Sequence, residues 1–297
     1  MPDGWDRMAG WRDERMGEVG DLWHRALIDP AMLEVVGPVR GLRVLEIACG
    51  NGYLARRFAS LGARLVVAID RSRKTLARAT ARERADPKGV RFEVADAAHL
   101  PHFSGGSFDL VVANMALMDI EDGEGTIREV ARLLSPRGRL VFSISHPCFD
   151  IDDLSMWVVE RAMAPSGQFG DTVWRKVTGY RHEGKRPIPW PVAPDRTVWT
   201  DSFHRTLTTY SRYLREVGFV IRRLEEPVPR PEMLEGSPQG RYIAEIPLHL
   251  VVEAVRAPAR PGSRPPAGTP AGDGRRSGSG GRRRRTGSAR RGSTRRS

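Results

Sequence analysis

Cysteine, lysine and long apolar runs are scarce in this 297-residue chain, and each scarcity excludes a class of protein. The two cysteines, Cys49 and Cys148, are too few for a disulfide framework and lack the CxxC spacing of a zinc site, so no metal is expected. No apolar stretch approaches the ~20 residues of a membrane span, so no membrane partner is expected. The opening residues, MPDGWDRMAGW, lack the basic-then-apolar pattern of a signal peptide, and a cytoplasmic, reducing setting is expected. There is no GxxxxGK[ST] run to cradle ATP phosphates, and no tyrosine is followed by a lysine four residues later, the pair that short-chain dehydrogenases use.

Charge is present but uneven. The chain carries a formal +12. Residues 257–297 hold twelve Arg, no Lys and one acid, a net +11, which leaves +1 for residues 1–256. The body therefore lacks, in net terms, the electrostatic footprint of a nucleic-acid-binding face. The tail of Arg, Gly, Ser and Pro cannot bury a core and is expected to be disordered. Nucleic acid is not expected as a partner except through weak, non-specific binding by that Arg-rich tail.

The pattern along residues 1–256 predicts one domain in three parts. Residues 1–40 read as a helical cap with Trp5, Trp11 and Trp23. From 41 to 145, short apolar runs alternate with amphipathic stretches, the signature of βαβ units and a parallel sheet. Strands are predicted at 42–48, 64–69, 90–94, 108–113 and 139–145, with helices at about 52–61, 72–85 and 123–134. Residues 146–205 hold six prolines and Trp157, Trp174, Trp190 and Trp199; they read as an inserted cover with a short helix at 153–163. A helix at about 206–217, a strand at 219–225, a Pro-broken loop through 240 and a strand at 246–253 complete the domain. Tryptophans confined to the two segments outside the sheet region suggest an apolar pocket built over it.

The chemistry is concentrated in VLEIACGNGYLAR, residues 44–56, where a strand runs into Glu46-Ile47-Ala48-Cys49-Gly50-Asn51-Gly52 and a helix follows at once. Gly50 and Gly52 allow close backbone approach to a ligand, and the helix N-terminus offers free N–H groups to an anion. The second strand ends at Asp70, placed to accept the hydroxyls of a ribose; after the third, Asp96 is placed to accept from an adenine amino group. Gly50-Asn51-Gly52-Tyr53-Leu54-Ala55 also satisfies the GxGxxA dinucleotide fingerprint, but the acids at 46 and 96 argue against NAD.

These residues resemble the class I S-adenosylmethionine (SAM)-dependent methyltransferases, specifically the type 11 group that includes ubiquinone and menaquinone biosynthesis enzymes. The resemblance covers residues 40–146 motif by motif, with Ala48 where the family pattern D/E-x-G-x-G-x-G has its first glycine. SFDLVVANMALMDI and REVARLLSPRGRLVFSI look like its fourth and fifth motifs. It implies an α/β, Rossmann-like seven-stranded sheet of order 3-2-1-4-5-7-6 with strand seven antiparallel, helices on both faces, and SAM as cofactor. It further implies that Glu46 orients the methionine end and that Gly50 and Gly52 pass beneath its carboxylate, with Ala48 and Asn51 among the cofactor-binding residues of the same loop. Asp70 and Arg71 then hold the ribose, Asp96 and the Ala97 backbone read the adenine, and Asn114 lies beside the methionine moiety.

The expected reaction is methyl transfer to a small-molecule acceptor, a biosynthetic intermediate with an apolar ring or chain. The alternatives are an RNA methyltransferase and a SAM-binding protein without catalysis. His146, at the end of strand five, and His204, at the entry to the next helix, are the candidate bases. Asp119 reads as the start of the next helix, with a position facing the pocket as the alternative. Pro147-Cys148 invites comparison with the nucleophile of 5-methylcytosine enzymes, but its context does not match their motifs, and 114–117 reads NMAL, not the (D/N)PP(Y/F/W) of nucleic-acid amino-methylating enzymes.

Overall fold

The computed structural model describes residues 4–163, 169–236 and 239–258. The residues of the Arg-rich tail from 259 onward lie outside them. Among the described residues no helix is long and apolar enough to cross a membrane.

The sheet is assembled from β1 (Arg43–Ile47), β2 (Leu65–Asp70), β3 (Val90–Val94), β4 (Phe108–Ala113), β5 (Leu134–Ser145), β10 (Phe219–Glu225) and β11 (His249–Arg256). Its order is β10-β11-β5-β4-β1-β2-β3. The first five strands run parallel, and β11 pairs antiparallel with both β5 and β10. This is the 3-2-1-4-5-7-6 order that the motifs imply. Strands covered on both faces carry near-continuous apolar sequence, and the period of two divides them between two cores. Leu45, Ile47, Val111, Phe142 and Ile144 face α5 (Gly123–Leu133) and α6 (Leu207–Glu216). Val44, Val66, Leu110, Val112 and Val141 face α2 (Asp29–Val36), α3 (Tyr53–Ser60) and α4 (Arg73–Ala85). Ser72, Asp122 and Thr206 cap α4, α5 and α6 by accepting the N–H groups of Thr75, Gly125 and Thr209.

The cap consists of α1 (Gly4–Met16) and a π-helical turn, His24–Ile28, that runs into α2. Asn51 fixes it to the glycine loop, its Nδ2 donating to Asp13 Oδ1 at 3.1 Å and to the Gly17 carbonyl at 2.8 Å. Arg82 of α4 donates to the same Asp13 oxygen at 2.9 Å.

The cover differs from its expected form. Residues 153–163 are not a helix: β6 (Ser155–Met163) pairs antiparallel with β7 (Phe169–Val177), and β8 (Gly184–Ala193) pairs with β9 (Arg196–His204). Prolines 187, 189 and 191 sit two apart in β8, so every missing N–H falls on one edge, and the opposite edge remains free to pair with β9. Two further boundaries shift. β5 starts at Leu134, paired with Phe108 before the register slips, so that residues 135–138, read as a turn, lie within the strand as an irregularity. β11 starts at His249 because Pro247 has no N–H to give the ladder, and α7 (Pro231–Gly236) and α8 (Gly240–Glu245) occupy part of the segment read as loop and strand.

Candidate active site

At the C-terminal ends of β1, β2 and β4 a cleft encloses about 870 Å³ of space, part of it open to solvent. It is lined by Glu46, Ala48, Gly50, Asn51, Asp70, Arg71 and Asn114, seven of the ten residues assigned to the cofactor from sequence. The loop that shapes it is conformationally demanding. Ala48, Gly50 and Gly52 all have positive φ, of 51°, 57° and 77°. The two glycines serve different ends. A Cβ on Gly50 would meet nothing within 4 Å, so that side of the loop is open to the cleft; one on Gly52 would strike the Phe92 ring at 2.5 Å. Gly52 is not part of the cleft lining, and its glycine is required by packing against β3.

Asp70 supports this loop directly. Its Oδ2 accepts the Gly50 N–H and its Oδ1 the Ser72 N–H, each at 2.8 Å. Glu46 is buried at 3% exposure; one oxygen accepts the Ala55 N–H, and Oε2 has no partner among the described residues. Burial, then the charges of Asp29 and Asp70, push its carboxyl well above the usual range. A buried carboxylate oxygen without a donor beside an open glycine loop fits the ammonium of a methionine moiety.

Behind Glu46 lies a polar network that sequence reading missed. Asn114 Nδ2 donates to Asp29 Oδ1 at 2.9 Å, and Ser143 Oγ donates to Asn114 Oδ1 at 2.7 Å. Tyr53 Oη donates to Asp29 at 3.0 Å. Burial raises both the Asp29 carboxyl and the Tyr53 phenol. Asp29 and Tyr53 had no sequence signal beyond their position beside Pro30 and the glycine loop.

The other three assigned cofactor residues, Gly52, Asp96 and Ala97, and both candidate bases, His146 and His204, stand outside the cleft lining. Asp96 Oδ1 accepts the Ala98 N–H at 2.9 Å, and Ala97 packs in the sheet's core. His146 is committed at both nitrogens: Nδ1 accepts the Cys148 N–H, and Nε2 donates to Glu226 at 3.1 Å. Burial lowers its pKa. His204 Nε2 donates to the Tyr180 carbonyl at 2.8 Å, and its ring lines a smaller cavity with Asp150 and Tyr210. Asp119 ends a 3-10 turn and lines the cleft instead of opening a helix. Cys49 and Cys148 are both free thiols.

A second chamber adjoins the cleft and shares Trp5, Arg12, His24, Met115 and Asp119 with it. Its walls come from both segments outside the sheet region. Trp190 of the cover lies 6.2 Å from Trp5 of the cap, tilted by 53°, and edge-on to Trp11 at 6.1 Å, and Trp23 packs tilted against His249. Trp190 Nε1 donates to Thr200 Oγ1 at 2.8 Å. Trp157 instead packs on Tyr242 beneath Arg175, and Trp174 and Trp199 are exposed.

An open α/β sheet whose glycine loop, end-of-strand acids and cleft lie at the C-terminal edge defines a nucleotide-cofactor-binding protein of the Rossmann-like class. Residues 45–142 match the family described as Methyltransferase domain. A crystal structure of an S-adenosylmethionine-dependent methyltransferase from Mesorhizobium loti is 31% identical; the match covers 76% of this chain and 96% of that one, with a TM-score of 0.58. A demethylmenaquinone methyltransferase of Clavibacter sepedonicus is 30% identical over 60% of this chain and 74% of its own. A 27-O-demethylrifamycin SV methyltransferase of Amycolatopsis mediterranei is 36% identical over 46% of this chain and 55% of its own, so the chain spans about half the length of that relative. The chain belongs to the SAM-dependent methyltransferases, and S-adenosylmethionine is its cofactor.

Proposed function

We propose that this methyltransferase transfers the methyl group of SAM to a small-molecule acceptor with an apolar ring, a biosynthetic intermediate. One observation carries the reading: the tryptophan-walled chamber opens off the cofactor cleft and shares five residues with it. In this reading residues 1–256 are the catalytic domain, with the cap at 1–40 and the cover at 146–205 closing over the acceptor. Glu46 and Asn114 hold the methionine end of SAM, Gly50 gives it room, and Asp70 with Arg71 holds the ribose. Asp96 and Ala97 serve the adenine from the loop after β3.

The sulfonium of bound SAM supplies an activated methyl electrophile. The chain's own part is to align the acceptor, exclude water and hold the nucleophile at attack distance. Trp5, Trp11 and Trp190 do this with wide apolar surface, and the chamber's polar side chains fix orientation. Incubation with methyl-labelled SAM and a small-metabolite extract tests the reading: label in a low-molecular-weight aromatic product is expected. Label found in RNA instead, or in nothing while SAM binds, would overturn it.

A further inference from the structure

One residue shared by the cleft and the chamber is a buried titratable side chain held in place by a carboxylate. His24 is 6% exposed, opens the π-helical turn, and lines both the cleft and the chamber. A π turn inserts an extra residue and re-aims side chains, and it occurs often at functional sites. His24 Nδ1 lies 2.8 Å from Asp21 Oδ1, the same oxygen that accepts the His24 backbone N–H at 3.1 Å. The ring stands edge-on to Tyr53 at 6.1 Å. Nε2 has no hydrogen-bond partner among the described residues. The backbone is shaped to admit the ring: Gly20 has φ +85°, and a Cβ there would meet His24 Cβ at 2.8 Å.

The pair is electrostatically settled. Burial alone would raise the Asp21 carboxyl, but the hydrogen bonds and charge of His24, with Arg12 at 3.7 Å, hold it down at about 2. Asp21 is therefore a carboxylate at neutral pH. It fixes Nδ1–H, so the Nε2 lone pair is the one presented to the chamber, and it stabilises the imidazolium that proton capture creates.

We propose that His24, positioned by Asp21, is the general base of this enzyme, and that its acceptor is a planar aromatic hydroxyl held against Trp5, Trp11 and Trp190. The proposal rests on the acceptor-chamber reading above. A neutral hydroxyl is an acceptor that needs a base, and a chamber walled by three indoles set at angles to one another favours an aromatic ring, which can meet them face-on or edge-on. As the acceptor oxygen bonds to the methyl carbon, its proton passes to His24 Nε2. The S–CH3 bond breaks with its electron pair left on sulfur, so a neutral thioether remains and the positive charge ends on imidazolium. The proton leaves to solvent when product departs.

The test uses the full chain with S-adenosylhomocysteine bound and 4-nitrocatechol and 2-nitro-1-naphthol as probes, chromogenic phenols whose anions absorb in the visible. Other groups that face or flank His24 are Asp29, Tyr53, Asp119, Arg12 and His249, and they are left unchanged so that the comparison isolates one ring. Bound probe is expected to ionise at least tenfold more readily in wild type than in His24→Gln, with Asp21→Asn between them. Because either variant could misfold, nitrogen NMR of the wild-type imidazoles provides a second measure: His24 should be protonated at Nδ1, and Nε2 should shift when probe binds. Equal ionisation in wild type and His24→Gln, or an Nε2-protonated ring, overturns the base and leaves the chamber standing. Failure of both probes to bind a wild-type protein that binds S-adenosylhomocysteine overturns the chamber reading and the base with it.

Discussion

The Gly50 amide points at Asp70 Oδ2 across 2.8 Å, so the carboxylate assigned to the ribose also holds the glycine loop in place. One side chain thus couples the ends of β1 and β2, and its loss removes a loop support together with the ribose contact proposed for it. Asp70→Ala is expected to weaken SAM by about ten- to a hundredfold, the scale of a charge-assisted hydrogen bond worth roughly 1.5–3 kcal/mol. Calorimetry on the folded variant reads this; affinity within twofold of wild type would place the ribose elsewhere.

Glu46 predicts a proton signature. Its carboxyl is raised by burial and by Asp29 and Asp70, and an arriving ammonium favours the ionised form. Binding of SAM should therefore release protons, and affinity should rise with pH until the free protein's carboxyl is ionised. Titrations in buffers of different ionisation enthalpy measure the release. Glu46→Gln should abolish it and weaken SAM by about tenfold or more, while a protein relieved of a buried acid melts no lower than wild type.

Ala48 stands at φ 51°, in the left-handed region where a side chain costs roughly 1–2 kcal/mol. Ala48→Gly removes that strain but adds freedom to the unfolded chain, so its stability should lie within about 1 kcal/mol of wild type. Ala48→Val adds β-branching to the same φ and should destabilise by about 2 kcal/mol or more. Chemical denaturation of the two variants separates them; equal midpoints would show that the loop relaxes.

Much of this site was legible because buried parallel strands and glycine loops leave strong local marks. β1 to β4, the acids at 46 and 70, and Asn114 follow from apolar runs and the residues just past them. The cover was less legible. SMWVVERAM suits a short helix as well as a strand, and only its pairing with residues 169–177 decides. Trp157 faces Arg175 across that hairpin, a contact no local pattern encodes. Asp29, Tyr53 and the Asp21–His24 pair were missed for the same reason: their chemistry arises where the cap meets the sheet. His146 and His204 attracted notice by position along the chain, but the hydrogen bonds they make were set by segments far away in sequence.

Trp11 and Trp190 line the chamber and not the cofactor cleft, so this part of the chamber wall can be altered apart from the cofactor's surroundings. Trp190→Ala removes wide apolar surface from the acceptor side. Methyl transfer to a bound acceptor should fall by at least tenfold, with SAM affinity within about threefold of wild type. Steady-state turnover and calorimetry on one preparation read both. A loss confined to SAM affinity would assign this wall to the cofactor.

Asp119 ties stability to pH. Burial, then the charge of Asp152, push its carboxyl up to about 8 against the pull of Arg12 and Arg205. The folded value lies above the ordinary 3.8, so between about pH 4 and 8 the folded protein keeps a proton that the unfolded chain has lost. Stability contributed by this group therefore falls as pH rises through that window and levels off above it. The side chain is partly exposed to the cleft, which reduces the cost at pH 8 to about 2 kcal/mol, well below the full linkage value. Asp119→Asn removes the titration, so wild type and variant should melt together near pH 4, with the variant about 4–8 °C higher at pH 8. A constant gap across the range would mean that Asp119 is ionised throughout and that its neighbours, Arg12 and Arg205, hold it as a carboxylate.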